Sequence, residues 1–193
     1  MIPRLIGALL LSLLCAGSAL AHNLDEYQQA AVISIHPDEV HISLRLVPGV
    51  AVLPELLKGM DTNSDGVLSE AEQHAYVARL LSDLSLRIDG APVSLQVRSA
   101  YFPAISLMRE GLAEIRLELA GQAPAGGENR TLVFENRHLR NVSDYLANVL
   151  VPSDEGLEIL SQRRNESQSF YELRYRQPGG YKRMRTALYW GRR

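Results

Sequence analysis

Apolar and polar residues alternate along several short segments of this chain, and this pattern constrains the fold more than any other feature. Four of the segments form two pairs, each split by a short turn: 31–35 and 40–46 around Pro37-Asp38, and 84–88 and 93–97 around Asp89-Gly90. Alternation with a period of two is typical of strands that bury one face. A short turn between two such strands predicts a β-hairpin, so we expect two hairpins.

Three further segments alternate in the same way: 115–119, 132–134 and 171–175. Turn-forming residues separate them, including a glycine-containing stretch at 121–127. Several half-buried antiparallel strands favour two packed sheets. We therefore predict a mainly β fold, an antiparallel immunoglobulin-like sandwich that spans residues 22–176. Residues 142–165 carry no pattern that assigns them to a strand or a helix.

The period changes between the two predicted hairpins. Four apolar residues recur at helical spacing before an acidic stretch and three recur after it: Leu53, Leu56, Leu57 and Met60, then Tyr76, Val77 and Leu80. Spacings of three and four residues place each set on one face of a helix. The sequence thus predicts a helix–loop–helix insert at 53–83 within the β framework.

The twelve residues between these helices, DTNSDGVLSEAE at 61–72, match the calcium-binding loop of an EF-hand at every diagnostic position. Gly66 stands where the chain must turn sharply, and we expect that a Cβ would obstruct the turn. Leu68 is expected to pack beneath the loop. The sequence therefore predicts an EF-hand, and the alternative is a turn rich in Asp, Asn and Gly that binds nothing.

Six residues of this loop are the predicted metal ligands, all of them through oxygen: Asp61, Asn63, Asp65, Val67, Ser69 and Glu72. Val67 would contribute its main-chain carbonyl, and Ser69 would bind directly or through a water. Glu72, in the twelfth position, would reach back with both carboxylate oxygens. The predicted cofactor is Ca²⁺, with a mainly structural role in ordering the insert against the sheets.

The N-terminus has the pattern of a secretory signal peptide at 1–21. Arg4 precedes an apolar run at 5–14, and Ala19-Leu20-Ala21 offers small residues at the two positions that a signal peptidase reads. We expect a cleavable signal peptide, a mature chain that starts at His22, and a periplasmic or secreted location.

Several segments resemble a known family when they are taken in order. They are HNLDEYQQA at 22–30, the first hairpin, the acidic loop, LRIDG at 86–90 and FENRH at 134–138. Together they resemble the extracytoplasmic domain that precedes the membrane part of bacterial transporters of the nickel/cobalt-exporter type. The resemblance covers most of residues 22–176, and it implies a secreted β domain that binds calcium. The sequence departs from the family's pattern in that residues 1–193 contain no transporter part.

Transition-metal binding is the alternative function that the histidines support. His22, as the mature N-terminus, could chelate copper with its amino group and imidazole. His36 and His41 share the polar face of the first hairpin by parity, whereas His138 lies elsewhere in the sequence. Imidazole suits copper, nickel and zinc. The alternative is therefore a copper- or nickel-binding, or partner-binding, accessory domain of a membrane transporter.

The sequence gives little support for catalysis. It contains neither a Gly-x-Ser-x-Gly elbow nor a His-Glu-x-x-His helix. The only cysteine, Cys15, falls within the predicted signal peptide, which excludes a cysteine nucleophile from the mature chain. We expect that the protein is not an enzyme.

The charge of the chain is small overall but unevenly distributed. A formal net charge of −2 gives no reason to expect nucleic-acid binding. Residues 173–193 nevertheless contain seven basic side chains and no acidic one. We predict a basic C-terminal tail at 177–193, which either contacts anionic lipid or a membrane protein, or lies solvated against the acidic body of the protein.

Overall fold

The computed structural model describes residues 25–111, 113–152, 154 and 156–177. The predicted signal peptide at 1–21, His22 and all but the first residue of the predicted basic tail lie outside these residues. The interpretations that rest on those segments therefore remain predictions.

The described residues form ten strands and three helices. The strands are β1 (Tyr27–Ile35), β2 (Glu39–Pro48), β3 (Leu84–Ile88), β4 (Ala91–Pro92), β5 (Gln96–Tyr101), β6 (Ile115–Gln122), β7 (Asn129–Asn136), β8 (Ser143–Val149), β9 (Glu158–Arg164) and β10 (Phe170–Arg176). The helices are α1 (Leu53–Met60), α2 (Glu70–Asp83) and α3 (Ile105–Arg109).

The strands form two five-stranded sheets. The first sheet has the order β5-β6-β2-β1-β8, and the second has the order β4-β3-β7-β10-β9. Strands β1 and β8 run parallel, and all other neighbours are antiparallel. The predicted mainly β fold of two antiparallel-rich sheets is thereby confirmed.

Both sheets contribute their inward-facing residues to one hydrophobic core. Alternate residues of β1 are buried from Tyr27 to Ile35, and β2 and β7 show the same alternation. Large side chains of both sheets, such as Ile33 and Tyr171, are completely buried in this core. The period-two pattern of the sequence therefore reports burial of one face of each sheet.

The first predicted hairpin is confirmed, and the second is only partly correct. Strands β1 and β2 pair along their full length, from Tyr27 opposite Pro48 to Ile35 opposite Val40. Strands β3 and β4 meet at a two-residue turn, but the paired residues are only Ile88 with Ala91 and Arg87 with Pro92. One further hydrogen bond follows, from the N–H of Val93 to the carbonyl of Leu86 at 2.8 Å. The chain then crosses to the other sheet, where β5 pairs with β6.

The stretch at 142–165, which has no interpretable pattern in the sequence, contains two strands. Strand β8 joins β1 at one edge of the first sheet, and β9 joins β10 at one edge of the second. Most residues of β9 are exposed, so its side chains show no hydrophobic alternation. An exposed edge strand is thus defined by its backbone pairing, which composition does not reveal.

The helix–loop–helix insert predicted at 53–83 is present between β2 and β3. Helix α1 buries Leu53, Leu56 and Met60, and α2 buries an apolar face that includes Tyr76 and Leu80. Helix α2 ends at Asp83 and the next residue already belongs to β3, so the insert is joined to the second sheet without a linker. None of the described helices is long and apolar enough to cross a membrane.

Candidate metal centre

The acidic loop, residues 61–72, begins where α1 ends. The last helical residue is Met60, and the N–H of Asp61 donates to the carbonyl of Leu57 at 2.8 Å. An Arg79 guanidinium N–H from α2 also donates to the carbonyl of Gly59 in the last turn of α1. This contact holds the two helices together behind the loop.

The loop ends in a capping box at the start of α2. Ser69 is the N-cap residue, and its hydroxyl accepts the N–H of Glu72 at 3.3 Å. The carboxylate of Glu72 accepts the main-chain N–H of Ser69 at 3.0 Å in return. This reciprocal pair satisfies two N–H groups that the first turn of a helix otherwise leaves free.

The Glu72 carboxylate also reaches back to the first turn of the loop. Its Oε1 accepts the N–H of Thr62 at 2.7 Å, the Thr62 hydroxyl at 2.9 Å and the N–H of Asn63 at 3.4 Å. Its Oε2 accepts the Ser69 hydroxyl at 2.7 Å in addition to the Ser69 N–H. These hydrogen bonds, those from Ser69 foremost, lower the pKa of Glu72 from 4.5 to about 2. Glu72 is therefore ionised and bridges both ends of the loop.

Main-chain N–H groups converge on the other carboxylates of the loop. Asp61 accepts the N–H of Asp65 at 3.1 Å with Oδ1 and the N–H of Gly66 at 3.0 Å with Oδ2. Asp65 accepts the N–H of Val67 at 2.8 Å and the side-chain amide of Asn63 at 2.8 Å. These bonds fold residues 61–67 into a compact turn whose oxygen-bearing side chains start from alternate positions.

Gly66 has a positive φ of 82°, which a residue with a side chain rarely adopts. A Cβ built at this position would meet no atom within 4 Å. The expectation that a Cβ would obstruct the turn is therefore wrong, because the backbone conformation is what favours glycine here. Ser64 also has a positive φ, of 58°, so the turn contains two left-handed residues.

The remaining loop residues lie where the sequence predicts. Leu68 is buried in the hydrophobic core and anchors the loop, whereas the Val67 side chain is 65% exposed. The valine side chain has no donor atom, so the main-chain carbonyl is the only ligand that Val67 can offer. Asp61 and Glu72 are buried, at 7% and 8% exposure.

The donor set suits a hard cation, but the side chains are not gathered around one point. No group of three or more His, Cys, Asp or Glu side chains among the described residues is arranged to hold a metal ion. The physical reason is that the oxygens of Asp61, Asp65 and Glu72 accept hydrogen bonds from the loop itself. None of these three carboxylates forms a salt bridge with a described residue. Their negative charge thus has no cationic partner in the described part of the protein.

The loop is open to solvent on the side of α1. A cavity of about 480 Å³ separates α1 from Arg109 at the end of α3, and Asp61, Ser64 and Gly66 line it. Small ions can therefore reach the first carboxylate of the loop from this side.

A buried polar cluster ties α2 to both sheets, and no pattern in the sequence predicts it. Its members come from α2, from β1 and from the end of β7: Tyr27, Gln29, Tyr76, Asn136 and His138. The Tyr27 and Tyr76 hydroxyl oxygens are 2.5 Å apart, and the Tyr76 hydroxyl lies 3.2 Å from His138 Nε2. His138 Nδ1 lies 2.8 Å from a carboxylate oxygen of Asp83, the last residue of α2.

The direction of these hydrogen bonds follows from the partners. The Asp83 carboxylate can only accept, so His138 Nδ1 carries the proton and Nε2 accepts from Tyr76. Tyr27 then donates to the Tyr76 oxygen. Burial lowers the pKa of His138 and raises that of both tyrosines, so each group keeps the protonation that this chain of bonds requires.

Amide groups complete the cluster on the side of the sheets. Gln29 donates to the His138 carbonyl at 2.9 Å and accepts from the Asn136 amide at 2.8 Å. Asn136 in turn accepts the His138 N–H at 3.0 Å. These three bonds are buried, where an unpaired polar atom is costly.

The other predicted metal ligands fall into three places. His36 and His41 lie together at the β1–β2 turn, with ring centroids 5.1 Å apart. His138 lies in the buried polar cluster, away from this pair. His22 lies outside the described residues.

Comparison of the chain with protein-family models, with curated proteins and with solved structures found no match.

Proposed function

We propose that this protein binds a calcium ion in the acidic loop and that the ion mainly stabilises the insert. In this proposal the insert is an EF-hand carried by an immunoglobulin-like sandwich, and the resemblance to extracytoplasmic transporter domains supports a secreted β domain that binds calcium. The predicted signal peptide at 1–21 would place the protein in the periplasm or outside the cell.

One observation carries the proposal: three carboxylates crowd one short loop without any cationic partner among the described residues. Asp61 and Glu72 are buried, although buried carboxylates are usually paired or coordinate a metal. The donors present are carboxylate, amide, hydroxyl and main-chain oxygens, the set that Ca²⁺ prefers. A divalent cation is thus the partner that best fits the charge and the chemistry of the loop.

Calcium binding requires an exchange of partners within the loop. Glu72 would give up the N–H groups and hydroxyls of Thr62 and Ser69 that it now accepts, and turn its oxygens toward the ion. The carboxylates of Asp61 and Asp65 can each keep one hydrogen bond while presenting the other lone pairs to the metal. The free energy of calcium binding is therefore less favourable than it would be if these oxygens accepted no hydrogen bonds beforehand.

A structural role follows from how the insert is anchored. Helix α2 begins at the loop, contributes Tyr76 to the buried polar cluster and continues directly into β3. An ion that fixes the start of α2 therefore stabilises a helix whose other end is part of the second sheet.

The test is the calcium-dependent shift of the thermal midpoint in the full chain and in Glu72→Gln. Extracellular sites of this type have dissociation constants of roughly 10⁻⁴–10⁻³ M. With a constant near 10⁻⁴ M, about 1 mM calcium contributes about 1.4 kcal/mol, which raises the midpoint by roughly 3–6 °C. The Glu72→Gln chain should lose this shift, and its calcium-free midpoint should also fall because the amide accepts fewer hydrogen bonds.

The matched control is Glu70→Gln, which removes the same charge from the same loop at an exposed position. It should keep the calcium-dependent shift. Magnesium should give a smaller shift, because it demands a tighter octahedral shell. A wild-type midpoint that is equal in chelator and in several millimolar calcium, with no heat on calorimetric titration, would show that the loop is only a turn.

A further inference from the structure

The turn between β1 and β2 brings two histidines and two carboxylates together on the outer face of the first sheet. His41 lies opposite Ser34 in the hairpin register, and His36 follows two residues after Ser34 on the same face. The two rings are therefore diagonal neighbours, within reach of one another. Their side chains are 39% and 47% exposed, so solvent and ions reach them freely.

Each imidazole is oriented by a carboxylate. His36 Nδ1 lies 2.8 Å from Asp154 Oδ2, and His41 Nε2 lies 2.8 Å from Glu39 Oε2. A carboxylate accepts, so the ring nitrogen that faces it carries the hydrogen. In the neutral imidazoles the lone pairs are then on His36 Nε2 and His41 Nδ1. Neither of these two atoms forms a hydrogen bond with a described residue.

We propose that His36 and His41 bind a divalent transition-metal ion such as Zn²⁺, with Glu39 and Asp154 as the carboxylates that orient the two rings. Metal-binding histidines usually donate their second N–H to a carboxylate, as both rings do here. The site is separate from the acidic loop and does not depend on calcium binding there.

The spacing of the rings agrees with two ligands of one ion. With Zn–N of about 2.1 Å and about 1.1 Å from ring nitrogen to ring centre, two imidazoles on a tetrahedral ion have centres about 5.2 Å apart. The observed separation is 5.1 Å. Water can complete the coordination, because both side chains are exposed.

One of the two carboxylates, Glu39, also has a cationic partner in the absence of a metal ion. Arg98 donates to Glu39 Oε1 at 2.7 Å, while the other oxygen of that carboxylate faces His41. Glu39 therefore shields the imidazole from the guanidinium.

The experiment is a calorimetric titration of the full chain with Zn²⁺ as the only transition metal, in a buffer that contains saturating calcium. Wild-type protein should bind one zinc ion that His36→Ala and His41→Ala each weaken by at least about tenfold. Glu39→Gln should weaken binding by about 10–100-fold, the usual cost of losing an orienting carboxylate. His74→Ala is the matched control, since His74 is exposed on α2, far from the pair in sequence, and should leave zinc binding unchanged.

Two results would overturn the inference. One is zinc binding that persists in the His36→Ala/His41→Ala double variant with wild-type affinity, which would assign the ion to other groups such as His22. The other is unchanged zinc affinity in Glu39→Gln. This result would show that orientation of the His41 ring by the Glu39 carboxylate, from which the site is inferred, does not contribute to binding. All four positions are on the surface or half-buried, so circular dichroism can verify that each variant is folded.

Discussion

The carboxylate of Glu72 shows how one side chain can close a loop and also be a candidate ligand. It accepts hydrogen bonds from both ends of the acidic loop, through Thr62 and Ser69. The same oxygens are the ones that a twelfth-position glutamate gives to calcium. Hydrogen bonding and ion binding therefore compete for this carboxylate, and its protonation affects both.

The depressed pKa of Glu72 predicts acid sensitivity of a defined kind. Its pKa is about 2 in the folded protein and 4.5 ordinarily, so the folded state favours the ionised form. This contribution to stability is complete above pH 4.5 and is lost as the pH falls toward about 2. In chelator, the difference in the free energy of unfolding between wild type and Glu72→Gln should shrink over this interval.

Urea denaturation at several pH values in chelator measures this difference directly. Glu70→Gln serves again as the control, because the Glu70 side chain is exposed. The assigned hydrogen bonds would be contradicted if the free energy of unfolding of wild type exceeded that of Glu72→Gln by as much at pH 2 as at pH 7.

At the scale of single residues, the sequence predicts where a residue lies better than it predicts the hydrogen-bond partners of that residue. The spacing of Asp61 and Glu72 places both in one loop, and Leu68 is buried as expected. The hydroxyl of Thr62, which donates to Glu72, carries no pattern that marks it in advance. The expected reason for a glycine at position 66 is wrong. The sequence shows that a glycine is present, but not whether limited space or the backbone angle requires it.

At the scale of elements, the buried polar cluster joins α2 to both sheets. The apolar spacing of the sequence places Tyr76 on the inner face of α2, and this is confirmed. It does not reveal that the hydroxyl meets Tyr27 and His138, because these partners lie 49 and 62 residues away along the chain. Long-range polar contacts of this kind require the fold to be known first.

Tyr76→Phe should destabilise the protein by about 1–3 kcal/mol, the usual cost of leaving a buried polar partner unsatisfied. The substitution removes one hydroxyl and leaves both the Tyr27 hydroxyl and His138 Nε2 without the hydrogen bond that they form with Tyr76. Tyr27→Phe should be destabilising too. The double variant should cost less than the sum of the two, because the shared bond can be lost only once.

Urea denaturation of the four chains gives this double-mutant cycle. Tyr101→Phe is the control, since that side chain is 48% exposed and should change stability by less than about 0.5 kcal/mol. Additive effects of Tyr27→Phe and Tyr76→Phe would contradict a direct bond between the two hydroxyls.

Short and exposed elements are the ones that the sequence did not predict. Helix α3 has five residues, too few for a helical period to emerge, and β9 buries almost nothing. The alternation at 93–97 predicts a strand paired with 84–88, whereas β5 begins at Gln96 and pairs with β6 of the first sheet. Alternation predicts that a segment is extended, but it does not specify which neighbour the segment will join.

At the scale of the whole molecule, the insert and the sheets share one core. Leu53 of α1 and Leu80 of α2 are buried in the same cluster as Ile33 of the first sheet and Phe134 of the second. The insert therefore has no separate core that could remain folded alone. We expect it to unfold together with the sheets.

Thermal unfolding should accordingly be one cooperative transition both in calcium and in chelator. Far-ultraviolet circular dichroism, which reports the backbone, and near-ultraviolet dichroism, which reports the packed tyrosines, should give the same midpoint in each condition. Calcium should move both midpoints by the same amount. An early transition in chelator, seen in only one of the two signals, would show that the insert melts independently.

The parallel pairing of β1 with β8 sets an order in which the native structure can be completed. Tyr27 pairs with Ser143, so most of the chain separates the two strands. During synthesis from the N-terminus, the β1–β2 hairpin emerges long before β8 exists, and the outer edge of β1 stays unpaired until then. Closing so long a loop costs entropy before any contact repays it, which makes folding slow. If the predicted signal peptide directs export, this late pairing would leave the chain incompletely folded while it is transported.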